Sequence, residues 1–71
     1  MHRFFISPED IHTEHVHLRG QSARQVARVL RLKTGVECIV LDNRGSEYLV
    51  SLEEISPDLC SAKILELRAA E

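Results

Sequence analysis

The sequence predicts a mainly β protein: a small β-barrel of about five strands with one α-helix. Three observations support this class. Several short stretches alternate apolar and polar residues, which is the two-residue period of a half-buried strand. Only residues 21–30 follow the 3.6-residue period of a helix. A chain of 71 residues allows one domain, and closing or half-closing its sheet removes exposed strand edges.

The first two predicted strands lie in the N-terminal part of the chain. RFFI, residues 3–6, is an aromatic and β-branched run that ends at a Ser-Pro pair. EHVHLR, residues 14–19, alternates polar and apolar side chains and stops at Gly20, a residue that can cap a following helix.

The single predicted helix spans residues 21–30 and is expected to cover one end of the barrel. Its apolar residues recur at i, i+3, i+4 and i+7 from Ala23 to Leu30, the spacing of one buried stripe. The helix is expected to fade near Leu32, because Gly35 is a residue typical of a helix end or a turn.

Three further strands are predicted after the helix. VECIVL (36–41) and SEYLVSL (46–52) are joined by DNRG (42–45), whose Asp, Asn and Gly are typical turn residues, so they form a hairpin. CSAKILEL (60–67) follows a Pro-Asp turn and alternates well enough for the last strand.

The composition favours a soluble, cytoplasmic protein. Cys38 and Cys60 lie among apolar residues without metal-ligand spacing, so we expect reduced core thiols. No apolar run approaches the length of a membrane span, and the N-terminus acquires acidic residues too soon for a signal peptide.

No residue pattern predicts catalysis or a metal site. His15 and His17 share one strand face, but His2, His12 and the cysteines lack ligand spacing, so we expect solvent-facing histidines. No Ser–His–Asp order, glycine-rich nucleotide loop or phosphate loop is present.

Positive charge is concentrated in one block although the chain is acidic overall, with 9 Lys+Arg against 11 Asp+Glu. Residues 16–35 contain no carboxylate, while Arg24, Arg28 and Arg31 recur at helical spacing. Like charges at i, i+4 destabilise a helix by a few tenths of a kcal/mol, and phosphate groups would relieve this. A phosphate- or RNA-binding face is therefore the leading interpretation, beside a solvated face and a face docked on an acidic partner.

Three segments resemble the N-terminal domain of the RsmE family, bacterial enzymes that methylate ring nitrogen N(3) of a uridine in 16S ribosomal RNA. They are RFF, SARQVARVLRLKTG and DNRGSEYLVSL, and the resemblance extends from Arg3 to Leu67. It implies a PUA-like β-barrel that helps to hold the RNA. A separate C-terminal domain of the SPOUT class would bind S-adenosylmethionine and carry out methyl transfer.

The resemblance also implies a domain organisation and partners. Residues 1–67 would form the RNA-binding domain, and residues 68–71 would begin a linker to the catalytic domain. The chain alone would then bind no S-adenosylmethionine and catalyse nothing. Its partners would be 16S ribosomal RNA in the small subunit and its own catalytic domain, within an enzyme that is a homodimer.

The RNA-binding residues expected from the motif and the helical spacing are Arg28, Arg31, Lys33, Arg24 and Arg3. The sequence departs from the family at Gln25, where the family usually has histidine, so a role that requires an imidazole is in doubt there while hydrogen bonding is not. Phe4 and Phe5 could stack on bases but are expected in the core of so small a domain.

Two alternatives stay open at this stage. The domain could act as an interaction module that braces the catalytic domain or a second subunit. It could also be a free-standing small RNA-binding protein, if the chain is a complete gene product.

Overall fold

A computed structural model describes residues 1–69 and shows a five-stranded mixed sheet that curves into a half-barrel. The strand order is β1-β3-β4-β5-β2; β1 runs parallel to β3 and the other neighbours are antiparallel. The elements are β1 (Arg3–Phe5), a 3-10 turn (Pro8–Asp10), β2 (His15–Arg19), α1 (Gly20–Arg24), a π-helical segment (Gln25–Val29), β3 (Glu37–Leu41), β4 (Ser46–Glu54) and β5 (Leu59–Ala69).

The predicted mainly β class and all five strands are confirmed. The strand bounds differ from the prediction by one or two residues, and β5 continues as far as Ala69. Two register shifts between β4 and β5, at Leu49/Val50 and Leu52/Glu54, bend the long central strands. Such bulges increase local twist, and here they curve the sheet around its core. Of the linker predicted at residues 68–71, the last two residues lie outside the described part.

The β3–β4 hairpin forms at the predicted DNRG turn, with Asp42 at its centre. The Asp42 carboxylate accepts hydrogen bonds from the backbone N–H of Arg44 at 2.8 Å and of Ser46 at 3.3 Å. Asn43 and Gly45 adopt positive φ, as the turn requires. These backbone donors, first that of Arg44, hold the pKa of Asp42 below its usual range despite partial burial.

The core is built from alternate residues of the strands together with one side of the helical segment. Side chains with essentially no exposed surface come from every part of the fold: Val16, Leu18, Ala23, Val26, Cys38, Val40, Val50, Leu52, Cys60 and Ala62. Phe4 is buried as expected, but Phe5 is 63% exposed, so the expectation of a core position for Phe5 is wrong. Neighbouring residues of one strand point to opposite faces, and only Phe4 faces the core.

Both cysteines are buried and free, which confirms the predicted core thiols. Burial, together with the nearby Cys60, raises the pKa of Cys38 to about 11. The Cys60 thiol donates to the Ser56 carbonyl at 3.4 Å. No helix within residues 1–69 is long and apolar enough to cross a membrane.

The helix lies where it was predicted, but only its first half is α-helical. From Gln25 the backbone widens into a π-helix, in which the Leu30 N–H donates to the Gln25 carbonyl at 2.7 Å. Arg31 then ends the helix with φ of +51°, a left-handed conformation that non-glycine residues seldom adopt. Gly35 lies in the turn before β3, one of the two roles expected for it, while the chain leaves the helical segment at Leu30 and Arg31.

Candidate nucleic-acid interface

Six basic residues that follow β2 lack a carboxylate partner within 4.0 Å among the described residues, and four of them are clustered between β2 and β3. These four are Arg24, Arg28, Arg31 and Lys33. The preceding Arg19 differs, because its Nε lies 2.8 Å from Oδ1 of Asp10. The block of positive charge predicted from the sequence is therefore electrostatically unpaired from Arg24 onward.

Three of these four residues line one open groove of about 460 Å³, which we call the basic groove. Arg28 comes from the π-helical segment, while Arg31 and Lys33 belong to the loop that follows it. The remaining lining residues are Ala27, Leu32, Thr34, Ile55, Ser56 and Pro57, and no carboxylate is among the described residues that line the groove. The groove is thus positively charged along one wall only.

The positive wall is fixed by backbone hydrogen bonds on both sides of the basic residues. The Leu32 N–H donates to the Val26 carbonyl at 2.9 Å, which closes the wide helix end, and Leu32 packs against the core. The Gly35 N–H donates to the Leu52 carbonyl at 2.7 Å, which ties the loop to β4. Because both ends of the loop are held, Arg31 and Lys33 project from a constrained backbone.

The opposite wall is the turn between β4 and β5, which the sequence predicted as a turn but not as part of a binding site. Ile55 packs against the core, and the Ser56 hydroxyl donates to the Leu59 carbonyl at 2.7 Å and accepts its N–H at 3.1 Å. The Ser56 hydroxyl is thereby used inside the turn, and Pro57 adds only apolar surface and a carbonyl. The Pro-Asp pair at residues 57–58 predicted a turn, but nothing in the sequence placed that turn beside the helix.

The two remaining predicted RNA-binding residues lie outside the groove. Arg24 is exposed on α1 and does not line it. Arg3 is on β1 at the far edge of the strand order, with its Nη1 3.8 Å from Oε2 of Glu47. Gln25, where the family usually has histidine, is exposed, and its carbonyl accepts the Leu30 N–H of the π-helical segment.

The histidines form pairs but no metal centre. His15 Nε2 lies 3.1 Å from Oε1 of Glu53, and His12 Nε2 lies 3.1 Å from Nδ1 of His17. Within the described residues, no group of three or more His, Cys, Asp or Glu side chains is placed to hold a metal ion. His15 is exposed as predicted, whereas His17 is only half-exposed.

Comparison with known families gives a match over most of the chain. Residues 18–65 match the family described as the RNA methyltransferase PUA domain. The chain belongs to this family. The matched segment includes the helix, both walls of the basic groove and the β3–β4 hairpin, and the resemblance seen in the sequence is thereby confirmed.

Solved structures agree with membership in the PUA-domain family. A predicted RNA methyltransferase of Thermotoga maritima is 25% identical over the whole chain with a TM-score of 0.86. Ribosomal RNA small subunit methyltransferase E of Neisseria gonorrhoeae, bound to S-adenosylmethionine, is 25% identical over 96% of the chain with a TM-score of 0.80. A probable rRNA methyltransferase of Porphyromonas gingivalis is 20% identical over the whole chain and shares the fold, with a TM-score of 0.81.

The chain spans only part of the solved proteins that it matches. It covers 32% of the Thermotoga protein, 28% of the Neisseria protein and 29% of the Porphyromonas protein. No curated protein matches the chain by sequence.

The basic groove does not fit S-adenosylmethionine, the cofactor bound to the Neisseria relative. The cofactor carries a sulfonium and an ammonium group against a single carboxylate, so its net charge is positive and Arg28, Arg31 and Lys33 would repel it. The same cations, with no lining carboxylate in the described part of the chain, favour an anion instead.

Proposed function

We propose that this PUA domain is the RNA-binding, substrate-recognition part of a methyltransferase that acts on small-subunit ribosomal RNA. The observation that carries the proposal is the convergence of Arg28, Arg31 and Lys33 on one groove without a carboxylate partner among the described residues. In a domain of the RNA methyltransferase PUA family, the anion that completes such a site is RNA phosphate.

The proposed binding mechanism is electrostatic. A protein that neutralises RNA phosphates with Lys and Arg releases condensed counterions, and this release supplies much of the binding free energy at low salt. Arginine suits this role because its planar guanidinium can donate two parallel hydrogen bonds to phosphate oxygens. Arg28 and Arg31 would therefore make the principal contacts, with Lys33 as a third point charge on the same wall.

The finer identity of the enzyme rests on the RsmE resemblance. We infer that the target is N(3) of a uridine in 16S ribosomal RNA and that residues 1–67 are the recognition domain. A SPOUT-class domain reached through residues 68–71 would hold S-adenosylmethionine, within a homodimeric enzyme. In this arrangement the cofactor supplies the methyl group, and the residues of this chain bind and orient RNA without touching the reacting atoms.

Exposed apolar side chains away from the basic groove favour a second role as an interaction module. Phe5 is 63% exposed, and Leu65 and Leu67 on β5 are 47% and 61% exposed. None of the three lines the basic groove. If the domain braces a catalytic domain or a second subunit, these side chains are the expected contacts.

Fluorescence anisotropy of the chain with a fragment of small-subunit ribosomal RNA, at several salt concentrations, tests the proposal. Arg28→Ala and Arg31→Ala should each weaken binding by about 1 kcal/mol and lower the salt slope by about one unit. Lys63→Ala is the matched control, because it removes one exposed positive charge from β5, outside the groove.

Equal RNA affinity of the parent chain and both arginine variants at low salt would disprove the proposal. An equal loss in the Lys63→Ala control would also disprove it, because binding would then depend on net charge and not on the groove. If RNA affinity is unchanged while assembly with the catalytic domain is weakened, the interaction role is correct instead.

A further inference from the structure

The basic groove has one charged wall and one apolar wall, and a single ligand class matches both. We propose that it holds one unpaired nucleotide of single-stranded RNA, with the phosphate on Arg28 and Arg31 and the ribose or base against the turn at Pro57. This inference rests on the proposed function and specifies which form of RNA the groove accepts.

The shape of the groove favours an unpaired nucleotide over a duplex. Its volume of about 460 Å³ lies within the range of pockets that hold small ligands. An A-form duplex keeps its bases stacked inside and presents a regular phosphate surface, which cannot enter a concave site of this size. A single-stranded segment can turn one nucleotide out of the stack and place it between the two walls.

The chemistry of the two walls matches the two parts of a nucleotide, its phosphate and its ribose or base. The charged wall provides guanidinium donors for phosphate oxygens. On the facing wall the Ser56 hydroxyl is engaged with Leu59, so Pro57 and the half-buried Ile55 leave mainly apolar surface. Apolar contact with a base face is tolerant of base identity, because every base has such a face. We therefore expect preference for single strands with little sequence selectivity in this groove.

Hydrogen bonds within the domain hold both walls in place. Hydrogen bonds to Val26 and Leu52 fix the charged loop, and the Cys60 thiol donates to the Ser56 carbonyl at 3.4 Å beneath the turn. A preformed site loses less conformational entropy on binding than a mobile one. The groove can thus capture a nucleotide without first ordering either wall.

The test compares a fluorescein-labelled single-stranded RNA with a blunt duplex of the same sequence, by anisotropy at several salt concentrations that are the same for both RNAs. The single strand should bind about fivefold more tightly than the duplex, near the lower end of what stacking on an aromatic side chain gives, because the groove wall is apolar but not aromatic. Pro57→Ser should weaken single-strand binding roughly threefold with an unchanged salt slope, because no charge is lost. Pro8→Ser is the matched control: it also follows a serine in a turn, is half-exposed, and lies outside the groove.

Each outcome decides the inference, and thermal melts of both proline variants confirm that they are folded. Equal binding of single strand and duplex, or no difference between Pro57→Ser and Pro8→Ser, overturns it. If Arg28→Ala still weakens RNA binding in that case, the domain contacts only the phosphates of the RNA, and the proposed function stands. If no RNA binds at low salt, the proposed function fails and this inference fails with it.

Discussion

Arg31 offers a substitution in which stability and RNA affinity should change independently. Its φ of +51° is a conformation in which the side chain of an L-residue crowds the backbone, at a cost on the order of 1 kcal/mol. Arg31→Gly removes that cost, because glycine has no Cβ. Glycine also makes the unfolded chain more flexible, which lowers the free energy of unfolding by about 0.4–1 kcal/mol. The free energy of unfolding should therefore stay the same or rise by up to about 0.5 kcal/mol.

RNA affinity should fall in the same variant. Loss of one phosphate contact from the basic groove should cost on the order of 1 kcal/mol, or roughly fivefold in Kd. A protein that is equally stable and yet binds RNA less well would locate the function of Arg31 in ligand binding.

Arg28→Gly is the control. It removes an equal charge from the same groove, but it places the glycine inside the helical segment. Arg28 is in the π-helical segment, so glycine there should lower stability by about 1 kcal/mol. For a domain of this size that difference corresponds to about 4–8 °C in Tm. Thermal and urea denaturation followed by circular dichroism measure it, beside RNA anisotropy. The reasoning fails if Arg31→Gly unfolds as early as Arg28→Gly, or if it binds RNA as well as the parent chain.

Three further results are expected. Backbone N–H groups that donate to the Asp42 carboxylate lower its pKa, so Asp42 stabilises the fold above about pH 4, and this contribution is lost as the pH falls through the folded-state pKa. Asp42→Asn should reduce the loss of stability at acidic pH, measured by urea denaturation at several pH values. An unchanged pH dependence would contradict the assignment. The thiol of Cys38, with its pKa near 11, should react with a disulfide reagent at pH 8 only as the protein unfolds, and labelling faster than unfolding would show the core to be open. Titration calorimetry with S-adenosylmethionine should give no heat above background, whereas saturable uptake would show that the chain itself binds the cofactor.

The strands and the hairpin could be predicted because their signals are local. Alternation places Val16 and Leu18 on one face, and the Asp-Asn-Arg-Gly turn fixes the pairing of β3 with β4. Phe5 shows that residue type alone does not predict burial. An aromatic residue was expected inside, but its position in the strand places it on the outer face, where it pairs with Leu41.

The end of the helix could not be predicted, because a tertiary contact determines it. Leu32 must reach the core, and the chain achieves this by widening into a π-helix and turning at Arg31. Arginine carries no local signal for a left-handed conformation, unlike Gly35, which sequence reasoning favoured. The predicted i, i+4, i+7 stripe was therefore correct for Arg24 and Arg28 only, and Arg31 reaches the groove from a loop.

The second wall of the basic groove could not be predicted from the sequence either. Its place beside the helix depends on how β4 and β5 pair, including the register shift at Leu52/Glu54 just before the turn. That shift has no signature in the alternation of either strand. The cations could be identified from the sequence, but the site they share with Ile55 and Pro57 required the fold.

An NMR titration of the ¹⁵N-labelled chain with single-stranded ribosomal RNA at low salt tests the central claim most directly, because it reports which residues the RNA contacts. The largest backbone amide shifts should occur at residues 27–34 and at Ile55 and Ser56, on the two walls of the groove. Amides near Arg44 and Arg68, which are also exposed cations outside the groove, should move little. Shifts concentrated at Arg44 or Arg68, or shifts spread evenly over all basic residues, would contradict the assignment of the groove as the RNA-binding site.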